Sequence, residues 1–192
     1  MSDFVKIVSL PPMKVVSFHS MGEFLGDPEE KASTKMMAWA KSKGLLSNPR
    51  EHQVFGFNNP DPPISEEGIP EPNKRYGYEY WITVEDDFKT EENIDVKTVD
   101  GGSYAVLTCR VESPVDIGKT WGKLIKWIQE SEKYDFHPNC RGLKSRHSKS
   151  HFEYGITGLE HHLNLLESPP KGKPWKTPEK LVMDIYVPVI EK

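Results

Sequence analysis

Apolar positions along the chain alternate between two periods, and each change of period marks an element boundary. The change is clearest over residues 101–136. Residues 104–111 (YAVLTCRV) form a β-rich run, and Glu112, Ser113 and Pro114 break it. Ile117, Trp121, Leu124, Ile125 and Ile128 then recur at the spacing of one helical face. Lys119, Lys123, Lys126, Gln129 and Glu130 fall mostly on the other face, and Asp116 is placed to cap the helix or to sit in its first turn. A strand feeding an amphipathic helix is half of a folding unit, because neither piece buries its apolar face alone.

The same order occurs earlier. Residues 13–21 (MKVVSFHSM) take the place of the strand and residues 27–46 that of the helix, with Met36, Met37 and Ala40 as core. Trp39 in MMAWAKS stands where Trp127 stands in LIKWIQE. Further β-like runs follow each helix: 52–57 and 76–84 in the first half, 158–165 and 181–189 in the second, while 3–10 is a short β-like run at the start. Pro188 suggests a strand end or edge. The expected fold is therefore α+β, built from two duplicated strand-helix-strand-strand halves of about 1–95 and 96–192 within one domain.

Composition narrows the function. The 192 residues carry a formal net charge of −4, which gives no reason to expect direct nucleic-acid binding. No run approaches a membrane span and the start lacks a signal-peptide core, so the expected location is cytoplasmic. The two cysteines, Cys109 and Cys140, do not suggest a disulfide framework. Several of the 16 prolines cluster at 60–72 and 169–178, which marks those stretches as loops. No glycine cluster has phosphate-loop spacing, and no Ser-His-Asp or Cys-His nucleophile is indicated, so no cofactor is expected.

Strand 76–84 (YGYEYWITV) is bulky on both faces: Tyr78, Tyr80, Ile82 and Val84 on one, Glu79, Trp81 and Thr83 on the other. Glu79 beside Trp81 reads equally as a binding surface or as an acid paired with a nearby Lys or Arg. Trp175, in the loop 168–179, either closes over a pocket or plugs the edge of the core. His137, Cys140, His147 and His151 form a weak zinc pattern without a CxxC knuckle. The basic run 141–149 reads as a solvated loop or as a contact for an acidic partner.

YGYEYWITV, GGSYAVLTCRV with its Trp-bearing helix, GLEHHLN and MDIYVPV, in that order and spacing, resemble the GyrI-like effector-binding domains over roughly residues 13–189. The resemblance implies two halves related by a pseudo-twofold, with antiparallel sheets forming a central ligand groove. It implies multidrug-type binding of bulky aromatic, often cationic compounds, with aromatic walls and a buried carboxylate. The carboxylate that matches is Glu160. Where the family usually has Tyr two positions later, this chain has His162, a change in the polarity of the pocket. Tyr78, Trp81, Tyr104, Trp175 and Glu79 are the further candidates for its lining, Tyr104 being the one that reads most readily as core. The implied roles are sensing in transcription regulation through a separate partner, sequestration, or toxin resistance. The chain begins at the sensing domain, with no room for the family's helix-turn-helix. A hydrolase branch of the family opens cyclopropane-bearing genotoxins; on that alternative Glu160 would activate water and Tyr78 or Tyr80 would polarise the departing oxygen. A zinc-binding or protein-interaction module is the remaining alternative. A protein partner, gyrase included, or a homodimer stays open.

Overall fold

A computed structural model describes residues 4–23, 26–63, 71, 74–89, 92–137, 158–167 and 180–192. The elements are β1 (Lys6–Leu10), β2 (Met13–Gly22), α1 (Asp27–Ser42), β3 (Val54–Asn58), β4 (Tyr76–Val84), β5 (Asp95–Val99), β6 (Gly102–Val111), α2 (Pro114–Glu130), β7 (Tyr134–Phe136), β8 (Leu159–His162) and β9 (Leu181–Glu191). Two short 3-10 turns, Leu45–Ser47 and Pro49–Glu51, follow α1. The periodicity of the sequence thus locates both helices. Helix α2 starts with a capping box in which Ser113 is the N-cap and Asp116 the reciprocal partner, the Asp116 carboxylate accepting from the Ser113 N–H at 2.7 Å.

The strands of the described residues join one antiparallel sheet in the order β1-β6-β9-β8-β3-β4-β2-β5, with β7 added on β9. The expected α+β fold is thus met, with one continuous sheet in place of separate ones. The two strand-helix-strand-strand units meet at its centre, where β3 pairs with β8 and Gly56 faces Glu160. Each unit also has a leading strand, and the leading strands are exchanged: β1 pairs with β6, and β5 with β2.

The connections dictate the shape of the sheet. Between β1 and β2 lie only Pro11 and Pro12, yet six strand spacings separate the two in the sheet. On a flat sheet that gap is roughly 29 Å, whereas a two-residue link spans at most about 11 Å. The link from β5 to β6, through Asp100 and Gly101, faces the same mismatch. Both links close only if the sheet curls until its ends approach. The inside of the curl holds Leu10, Val15, Phe55, Phe57, Trp81, Val99, Tyr104, Val106, Leu159 and Tyr186. Helices α1 and α2 cover the outside. Met36, Met37, Trp39 and Ala40 of α1 pack on Val16, Phe18, Val54 and Ile82. Leu124 and Ile128 of α2 pack on Leu107, Met183, Ile185 and Val187.

Pro188 lies within β9 rather than at its end. Its carbonyl accepts from the His137 N–H on the β7 side. Its missing donor falls in the gap where β8, paired with residues 183–186, stops and β7, paired with 189–191, begins.

Candidate functional site

Period-two alternation carries the side chains of β4 and β8 to opposite faces of the sheet. On the helix-covered face, Tyr78 of β4 and Glu160 of β8 meet across β3: the Tyr78 hydroxyl donates to Glu160 Oε2 at 2.6 Å. Trp121 of α2 reaches the other oxygen, its Nε1 donating to Glu160 Oε1 at 3.2 Å. His162, one alternation further along β8, brings Nε2 to 3.3 Å from the Tyr78 hydroxyl and 3.9 Å from Glu160 Oε2. Its ring packs 5.2 Å from that of Tyr80. Two glycines permit this convergence. A Cβ on Gly56 would overlap the Tyr78 hydroxyl and stand 2.8 Å from His162 Nε2; one on Gly158 would overlap the Trp121 indole.

The charge state of the group follows from its surroundings. Glu160 retains 17% side-chain exposure, and no Lys or Arg among the described residues pairs with it. Burial lifts its carboxyl above the usual range; the hydrogen bonds from Tyr78 and Trp121 oppose the lift without cancelling it, and the charge of Glu29 adds to it. His162 is depressed to about 3, by burial first and by His161 second, so it is neutral near pH 7 and is no counter-ion for Glu160. Tyr78 and Tyr80 are held fully protonated, burial again being the larger cause and the Glu160 charge the next.

Glu29 stands on the first turn of α1, half-buried, and both its oxygens receive the Tyr76 hydroxyl, at 2.9 and 2.7 Å. Burial raises its carboxyl despite that bond. Its charge bears on Glu160, Tyr78 and Tyr80 alike.

Glu79 and Trp81 face the other way, into the curl, and form a closed network. Glu79 Oε1 accepts from Ser17 Oγ at 2.7 Å, from Trp81 Nε1 at 2.6 Å and from Lys97 Nζ; Oε2 accepts from Asn59 Nδ2 at 2.6 Å. Of the two readings of Glu79, the paired acid is the arrangement present. Trp81 is wholly buried and Tyr104 nearly so, packed against Tyr186 at 5.7 Å. Thus Glu160, Tyr78, Tyr80 and His162 come together, while Glu79, Trp81 and Tyr104 belong to the core inside the curl. Trp175 lies outside the described residues, as do Cys140, His147 and His151; His137 sits just after β7. Among the described residues, no group of three or more His, Cys, Asp or Glu could hold a metal ion.

Trp121, Glu29, Tyr76 and the two glycines were not singled out as site residues by sequence reasoning. Trp121 obeys the apolar helix spacing, and Glu29 reads as an acid complementing a helix N-terminus. The one available signal for Trp121 was its indole N–H, a donor that a buried Trp must place.

Residues 6–189 match the family model described as "Cass2: Integron-associated effector binding protein". YosT of Bacillus subtilis strain 168, an SPbeta prophage-derived protein named as a transcriptional regulator, is 22% identical over 127 residues, covering 66% of this chain and 78% of YosT. The crystal structure of the EcmrR C-terminal domain superposes with a TM-score of 0.57 at 13% identity, over 100% of both chains. A hydrolase encoded by lin2189 of Listeria innocua superposes with a TM-score of 0.54 at 11% identity, over 97% of this chain and 91% of that one. The two structures show a shared fold. No helix among the described residues is long and apolar enough to cross a membrane.

Proposed function

This chain belongs to the family of integron-associated effector binding proteins, and we propose that its effector is a hydrophobic aromatic cation held on the helix-covered face of the sheet with Glu160 as the anionic contact. One observation carries this reading. Glu160 is a largely buried carboxylate with two neutral donors and no cation among the described residues. Such a group either keeps a proton or takes a positive charge from a ligand. Tyr78, Tyr80 and Trp121 place aromatic rings around it, and each ring face met by a cation adds about 0.5–2 kcal/mol. Neutral His162 leaves the carboxylate to the ligand. Flat, greasy cations are favoured over neutral analogues of the same shape.

The test is a tryptophan-fluorescence titration with an aromatic monocation and its neutral isostere, on the wild-type protein and on Glu160→Gln, with the ligand recovered and weighed by mass spectrometry. Trp121 touches the carboxylate and serves as the reporter. Saturable quenching by the cation is expected, weakened roughly 10- to 100-fold in Glu160→Gln, with the ligand recovered intact. Equal affinities for cation and isostere would overturn the charge contact. A mass gain of one water, absent in Glu160→Gln, would replace binding by hydrolysis with Glu160 and Tyr78 as its polar groups.

A further inference from the structure

We propose that Glu29 is a second charge-selecting group of the same groove, and that the preferred effector carries two cationic centres on one aromatic body. The proposal rests on the reading of Glu160 given above and adds a residue from the opposite helix.

The arrangement around Glu160 is repeated one step along β4. Tyr76 and Tyr78 point from the same face of that strand, about 6.7 Å apart along it. The Tyr78 hydroxyl donates to Glu160 and the Tyr76 hydroxyl donates to Glu29. Tyr76 is fixed for this by the Gly26 N–H, which donates to its hydroxyl oxygen at 2.8 Å. Like Glu160, Glu29 has no Lys or Arg partner among the described residues. Asp27, two residues earlier on the same helix turn, has one: Lys31 at 2.7 Å. Asp27 is neutralised within the chain, whereas Glu29 has no such partner among the described residues.

His162 is a separate sign of an incomplete polar site. Its side chain is 3% exposed, its Nε2 rests on the Tyr78 hydroxyl, and its Nδ1 has no hydrogen-bond partner among the described residues. Buried polar atoms are ordinarily paired, and a ligand bridging the two glutamates brings donors into this neighbourhood. The charge of Glu29 raises the proton affinity of Glu160, and a ligand that meets both carboxylates relieves both. A monocation relieves one.

The decisive quantity is the affinity ratio between 4,4′-diamidinostilbene and its mono-amidino counterpart, measured by fluorescence titration on the full chain. Wild type is expected to prefer the bis-cation by about tenfold or more. Glu29→Gln should bring the ratio to within about threefold, whereas Glu160→Gln should weaken both probes. Tyr76→Phe keeps the Glu29 carboxylate and removes only its hydroxyl partner, so the ratio should survive. A ratio near one in wild type, with mono-cation binding still sensitive to Glu160→Gln, overturns this inference and leaves the Glu160 contact standing. Collapse of the ratio in Tyr76→Phe as in Glu29→Gln would mean that the pair merely docks α1, and also overturns it. Failure of both probes to bind wild type removes both readings together.

Discussion

Glu79 and Glu160 lie on strands flanking β3, both within the sheet, and they differ in almost everything else. Glu79 is 1% exposed, takes four donors and neutralises Lys97. Glu160 keeps an opening to its surroundings, takes two donors and neutralises nothing among the described residues. The same residue type is a finished structural joint on one face of the sheet and an unsatisfied charge on the other. What separates them is whether the chain supplies the cation. A buried acid with its own lysine has no use for a ligand.

The largest expected break in this comparison is Lys97→Met. It leaves Glu79 as an uncompensated charge inside the curl and should cost about 3–5 kcal/mol in urea unfolding, with much of the loss recovered in Lys97→Met/Glu79→Gln. A loss below about 1 kcal/mol would show that the ion pair is dispensable. Next comes Gly56→Ala. Its new methyl must displace the Tyr78 hydroxyl or His162, so we expect a loss of about 1–3 kcal/mol together with weakened effector binding. Unchanged binding in a folded Gly56→Ala protein would argue against the Tyr78–Glu160 geometry.

The smallest effect, of order 1 kcal/mol, is a difference of sign with pH. Burial pushes the Glu79 carboxyl up, but the Lys97 charge and the hydrogen bonds outweigh it, and the group titrates below its usual range. Its stabilisation is present above the unfolded pKa and is lost as pH falls through the folded one. Glu160 is raised, so the folded state favours its proton. That contribution is present below the unfolded pKa and is lost as pH rises through the folded value. Unfolding curves from pH 4 to 8 should show Glu160→Gln gaining on wild type as pH rises. A constant difference would mean that Glu160 titrates normally.

The elements of the chain were more legible than the faces of its sheet. The strand Tyr76–Val84 and the amphipathic helix α2 follow from period-two and period-3.6 patterning, because both elements bury regular stripes. The bulk on both faces of β4 was visible too, and the curl explains it: a core lies inside and helices lie outside. Alternation alone says that Tyr78 and Trp81 part company, not which of them joins Glu160. That choice depends on β8 meeting β3 about 100 residues away in the chain, with Gly56 opposite Glu160. Strands β5 and β7 escaped notice because they are short and only partly buried, so they lack a clean apolar alternation. Glu29 escaped because its role depends on a tyrosine 47 residues away.

The exchanged leading strands have a consequence for how the chain is made. During synthesis β1 leaves the ribosome well before its partner β6, which starts at Gly102 and pairs with it as far as Leu10. At typical elongation speeds β1 waits roughly 5–20 s with both edges unpaired. Over the same interval β2, α1, β3 and β4 can assemble without it. The nascent protein thus passes through a stage at which a ready sheet has formed while β1 still lacks its partner. Contacts of such long sequence separation are the slow ones to form, and sealing β1 onto β6 joins the two halves, as do β5 on β2 and β8 on β3.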